Sequence, residues 1–104
     1  ILVSAGYDPH WADAISLMQM STTGFAKVVS IIKGLADELC AGRLVFSLEG
    51  GYHLEALASS IRATLDVLLG ASEIADPLGG SPGARGAPFI EALLQAIKET
   101  HKLA

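Results

Sequence analysis

The chain reads as an α/β protein: a βαβα unit of parallel strands followed by one more helix. Three observations carry this. Two short apolar runs, Ile1 to Ala5 and Arg43 to Leu48, have the length and composition of buried strands. Each is followed by a longer segment whose apolar residues recur at helical spacing. Glycines stand where strands and helices would have to stop.

The elements follow in order. Ile1-Leu2-Val3-Ser4-Ala5 is closed by Gly6, as a fully covered strand would be. Tyr7 to Met20 has no period and contains Pro9, which predicts a loop. Ser21-Thr22-Thr23 offers hydroxyl caps to a helix. Its apolar face would be Phe25, Val28, Val29, Ile32, Leu35, Ala36 and Leu39, with Gly42 just past its end. The second strand, Arg43 to Leu48, is expected to stop at Glu49-Gly50-Gly51. Leu54, Leu57, Ala58, Ile61, Leu65 and Leu68 form the next helical stripe, ended by Gly70. The expected organisation is therefore an α/β part over 1–70 and a Gly/Pro-rich connector over 71–88. A last helix over 89–104 carries Ile90, Leu93, Leu94 and Ile97 on one face, and Pro88 suits its first turn.

Composition narrows the function classes. In 104 residues, 51% are hydrophobic and 17% charged, which excludes a disordered chain. A net charge of −4 argues against a nucleic-acid partner. No apolar run approaches a membrane span, so no membrane partner is expected. The single cysteine, Cys40, permits no internal disulfide, fits a reducing, cytoplasmic setting and reads as a small buried hydrophobe. Two parallel strands leave open edges and bare apolar faces. Together with a start inside an apolar run at Ile1, this predicts either a piece of a longer protein or a chain that self-associates.

Ligands of open parallel sheets bind beyond the carboxyl ends of the strands. Gly6-Tyr7-Asp8-Pro9-His10 and Glu49-Gly50-Gly51-Tyr52-His53 would meet on that rim. Asp8 there could bind a divalent metal, and the Tyr52 hydroxyl could donate to developing oxyanion charge. Plain structural roles fit the same residues: Asp8-Pro9 as a turn start, and Gly50-Gly51 as a strand-to-helix turn on which Tyr52 packs. Trp11 reads as a packing residue and His101 as a solvated one, while Glu49 lacks a nucleophile to serve. Composition and spacing end at a ligand rim on an α/β sheet.

Three stretches taken together go further. Val3-Ser4-Ala5-Gly6-Tyr7-Asp8-Pro9-His10-Trp11-Ala12-Asp13, Ser21-Thr22-Thr23-Gly24-Phe25 and Gly42-Arg43-Leu44-Val45-Phe46-Ser47-Leu48-Glu49-Gly50-Gly51-Tyr52 closely resemble the histone deacetylase superfamily. That superfamily includes bacterial acetylpolyamine amidohydrolases, and the motif wording leans to a bacterial source. The resemblance runs from Ile1 to about Gly70. It implies an arginase/deacetylase-like, three-layer parallel-sheet fold and hydrolysis of an N-acyl amide, with an acylated lysine or polyamine as substrate.

By the same resemblance, Asp8 matches a zinc-ligand aspartate and Tyr52 the tyrosine that stabilises the tetrahedral oxyanion. Gly50 and Gly51 match glycines that shape the acyl-lysine channel. His10 falls at a variable place, so its Asp-x-His look is accidental. Asp13 matches a common loop acid, but Ala14 replaces the usual proline, and no catalytic role passes to Asp13. The family's tandem histidines and its other zinc ligands have no counterpart in these residues. The expectation is a C-terminal segment of a zinc-dependent hydrolase that is inactive as an isolated chain. The alternative is a truncated, non-catalytic module that works as an oligomer.

Overall fold

The computed structural model describes residues 1–83 and 89–104. Its elements are β1 (Leu2–Gly6), α1 (Thr22–Cys40), β2 (Val45–Gly50), α2 (Leu54–Leu68) and α3 (Ile90–His101). The expected βαβα order with a trailing helix is therefore present. Pro88 and the end of the expected connector lie outside the described residues.

β1 and β2 pair in parallel, from Leu2 opposite Val45 to Ala5 opposite Leu48. The register then slips, so that Gly6 faces Gly50 and Glu49 is passed over. The second strand thus begins later and ends later than the apolar run implied. Backbone pairing carries it on: the Tyr7 N–H donates to the Gly50 carbonyl at 2.9 Å. Ladder bonds do not require apolar side chains, and so hydropathy misplaces a strand's end.

α1 and α2 pack side by side over one face of the sheet, that of Ala5, Tyr7 and Phe46. Successive strand side chains point to opposite faces, so Leu2, Ser4, Val45 and Ser47 fall on the other one. All four are exposed, with Leu2 at 85%. As expected of a βαβα fragment of a three-layer fold, the described residues give two layers and leave one face of the sheet bare.

That arrangement also corrects which helix residues form the core. Of the face expected for α1, Phe25, Val29 and Ala36 are buried, whereas Val28, Leu35 and Leu39 are exposed. In α2 the buried residues are Ala56, Ser60, Ala63 and Thr64, while Leu54 and Leu65 of the expected stripe are exposed. Small side chains at the helix contact let the two axes approach closely. Val28 and Leu65 border clefts that a two-stranded sheet is too narrow to close.

The caps follow the sequence. The Ser21 hydroxyl accepts the Gly24 N–H at 3.1 Å, and α1 ends with Ala41 and Gly42 both left-handed. Gly42 then donates to the Ala36 carbonyl at 2.9 Å, a bond that satisfies one of the carbonyls left open at the end of the helix. Cys40 is half-exposed at this end, with its thiol donating to the Arg43 carbonyl at 3.3 Å, rather than buried as expected. Trp11 packs beside the His10 ring and donates its indole N–H to the Gly79 carbonyl at 2.9 Å.

The part of the connector that is described folds back on the domain. The Asp76 carboxylate accepts the backbone N–H and the hydroxyl of Thr23, at 3.1 and 3.2 Å, at the start of α1. A carboxylate at a helix N-terminus satisfies orphan donors and complements the helix dipole. α3 has no buried residue, and its apolar face of Ile90, Leu93, Leu94 and Ile97 is exposed along with His101.

Among the described residues, one buried side-chain polar atom is left over. Ser60 is fully buried, and its hydroxyl has no hydrogen-bond partner among the described residues. Desolvating an unpaired hydroxyl opposes folding. Ser60→Ala is accordingly expected to raise stability by about 1 kcal/mol, read as a higher denaturant midpoint at unchanged slope. A lower midpoint would show that the hydroxyl has a partner.

Candidate active site

The carboxyl ends of β1 and β2 form the rim, and each ends in glycine. Asp8 lies in the turn after β1 and is half-buried. Its Oδ1 overlies both strand ends. A Cβ added at Gly50 would stand 2.5 Å from that oxygen, and one added at Gly6 would stand 3.0 Å from it. The same point above Gly50 is 3.7 Å from Cε2 of Tyr52. The strand ends therefore bring the Asp8 carboxylate and the Tyr52 ring together over a floor that only glycine leaves open.

Gly51 is glycine for a different reason. Its φ of +133° is a conformation that side-chain-bearing residues rarely adopt, and a Cβ there would meet Leu57 at 2.7 Å. The backbone turns through Gly51 to place Tyr52 outward, with 64% of the residue exposed. His53 then caps α2, its Nδ1 accepting the Ala56 N–H at 3.3 Å.

Asp13 ties the two rim loops together. It is 5% exposed. Its Oδ2 accepts the backbone N–H groups of Tyr52 at 2.6 Å and His53 at 2.9 Å, and its Oδ1 accepts that of Ile15 at 3.0 Å. The Ile15 bond, then the Tyr52 bond, hold its carboxyl below the ordinary value of 3.8, with burial opposing and His53 adding to the lowering. A carboxyl lowered on folding contributes stability that is complete above its unfolded value and lost as pH falls toward the folded one. The stability gap between wild type and Asp13→Asn is thus expected to be widest near neutrality. It should narrow as pH drops below 3.8, which parallel denaturant titrations of the two proteins would read. A gap that is flat with pH would contradict these bonds.

His10 is the hub beneath the rim and is fully buried. Its Nδ1 accepts the Ala12 N–H at 3.1 Å, which leaves Nε2 as the donor toward the Thr22 hydroxyl at 3.4 Å. Burial holds its pKa below 6.5, and His53 lowers it further, against the raising effects of Asp76 and Asp13. Its ring stacks on Phe25 at 6.4 Å. With both nitrogens engaged inside the core, His10 does not pair with Asp8 as a ligand. Glu49 is exposed on β2.

Sequence reasoning missed Tyr7, which sits in the core with its hydroxyl 2.8 Å from Thr64 Oγ1. It also missed Asp13 and Asp76 as tethers. One signal was present for Tyr7: Ser60 and Thr64 stand four apart inside an apolar helix, a place where hydroxyls need partners.

Among the described residues, no group of three His, Cys, Asp or Glu is placed to hold a metal ion. Catalytic zinc takes three protein ligands, so the single carboxylate of Asp8 does not make a zinc site by itself. Among the same residues no helix is long and apolar enough to cross a membrane. A surface cleft between α2 and Ala75 to Pro77, which includes Arg62 and Asp76, lies in a different part of the fold.

A polyamine deacetylase of Homo sapiens is 42% identical over 77% of the chain. A chloroplastic histone deacetylase of Arabidopsis thaliana is 48% identical over 99% of it. The chain spans 25% of the length of the plant protein and 11% of the human one. The crystal structure of the HDA15 HD domain superposes with a TM-score of 0.56 at 31% identity, over 68% of this chain and 20% of that one. The model of the histone deacetylase domain matches residues 1–68, and the chain belongs to that family.

Proposed function

We propose that residues 1–68 are the portion of an N-acyl amide hydrolase that supplies Asp8 and Tyr52 to its active site. The observation that carries this reading is the meeting of the Asp8 carboxylate and the Tyr52 ring above Gly50. Asp8 acts as one zinc ligand, the remaining ligands coming from protein outside these residues. The Tyr52 O–H donates to the substrate carbonyl oxygen as it gains negative charge, and its exposure leaves that hydroxyl open to a ligand. Gly50 and Gly51 form the floor along which the acyl chain passes, because no side chain there intrudes. The names of the relatives support an acylated protein lysine or an acylated polyamine as substrate.

The test uses a chimera in which residues 1–68 replace the matching stretch of the plant relative. The chimera is expected to hydrolyse an acetyl-lysine peptide or an N-acetylated polyamine, and Asp8→Asn to abolish both turnover and zinc retention. The 104-residue chain alone is expected to show no turnover. Activity and retained zinc in the isolated chain, or full activity of Asp8→Asn, would overturn the assignment.

A second reading rests on the bare sheet face around Leu2 and Val45 and on the exposed apolar side of α3. Exposed apolar patches of this kind mark association surfaces, and the isolated chain would then work as an oligomeric assembly module. Light scattering at micromolar concentration decides it. A monodisperse monomer removes this reading.

A further inference from the structure

We infer that Asp13 is a positioning residue for the reaction, holding Tyr52 where its hydroxyl can meet the substrate carbonyl; this rests on the oxyanion role proposed for Tyr52. Little else holds that tyrosine. Its side chain is largely exposed, so packing does not fix the ring. Gly50 is held in the strand ladder, but Gly51 after it has the most permissive backbone available. Without a tether, Tyr52 would sit between Gly51 and the first turn of α2.

Asp13 is that tether. Its Oδ2 takes the N–H groups of two successive residues, Tyr52 and His53, and so fixes both the position and the direction of the backbone at the end of β2. A charged acceptor makes such bonds shorter and stronger than neutral ones. Asp13 is itself held: its N–H donates to the His10 carbonyl at 2.9 Å, and the His10 ring is locked in the core. The loop after β1 carries both Asp8 and Asp13. Through Asp13, the element that presents the metal-ligand carboxylate also sets the place of the oxyanion donor. The spacing between the two active groups is then set through this loop and not through Gly51 alone.

Displacing a catalytic group by about 1 Å can cost on the order of 10²-fold in rate. Asp13→Asn keeps the shape and removes the charge and one acceptor. In the chimera it is expected to lower kcat about tenfold while leaving KM within about twofold. In a Tyr52→Phe background the same substitution is expected to cost less than about twofold, because its effect passes through the hydroxyl. An undiminished loss in that background would show a general structural role and overturn the inference. If Tyr52→Phe alone has no effect, the oxyanion reading fails, and the tether is decided separately by amide hydrogen exchange on the 104-residue chain. There, Asp13→Asn is expected to speed exchange at Tyr52 and His53 tenfold or more, while the Tyr7 amide on the Gly50 carbonyl stays protected. Equal loss at all three amides, or none at any, overturns the positioning role.

Discussion

Tyr52→Phe is expected to lower amide hydrolysis by the chimera by about 10²–10³-fold, which is what removal of one oxyanion donor costs. The loss should fall on kcat, because the charge that the hydroxyl meets exists only in the transition state. Stability should not follow. Tyr52 is 64% exposed and the substitution keeps its ring, so the folding free energy should change by less than about 0.5 kcal/mol. Steady-state kinetics beside a denaturant titration separates the two quantities. A fall in kcat below about tenfold would remove Tyr52 from the reaction. A matching fall in stability would make its role structural.

Phe25→Ala is expected to cost about 3–5 kcal/mol of folding stability, a large part of the ~5–15 kcal/mol that holds a typical domain. Phe25 is 8% exposed in the first turn of α1. Its ring meets the edge of Tyr7 at 5.2 Å and stacks on His10 at 6.4 Å. Truncation opens a cavity under the loop that carries Asp8, and it removes the partner of two other buried rings. The contrast is Leu35→Ala, which the period of α1 ranks equally but which is 45% exposed. That substitution is expected to cost about 1 kcal/mol or less. Equal costs at the two positions would mean that the exposed side of α1 is covered in solution. That result would favour self-association.

Local order was written into the chain in a form that needs no partner. Ser21 caps α1 through a hydroxyl three residues from the N–H it accepts, and Gly42 ends the same helix through a bond to Ala36. Such signals act within one or two turns, and so they can be read along a sequence. The rim residues were legible because Gly6-Tyr7-Asp8 and Glu49-Gly50-Gly51-Tyr52 each follow a strand, and parallel pairing brings strand ends together. The family match over residues 1–68 agrees with what those motifs implied, and so does the α/β fold.

Helical spacing was a weaker guide to the core. It named an apolar side of α1 and of α2, but it could not say that the two helices would share one sheet face. The buried positions of α2 are Ala56, Ser60, Ala63 and Thr64 because α1 lies beside them. The long aliphatics at Leu54 and Leu65 are left in the open. Cys40 failed in the same way, since the end of a helix is covered only where another element reaches it.

The sequence by itself determined the order of elements, the caps of α1, the family and the two side chains offered at the rim. Only the tertiary structure decided what holds those side chains in place. Asp13 reaches Tyr52 across 39 residues, Asp76 reaches Thr23 across 53, and Tyr7 reaches Thr64 across 57. A side chain's type states what bond it can make, whereas its partner is set by which loops the fold closes onto one another.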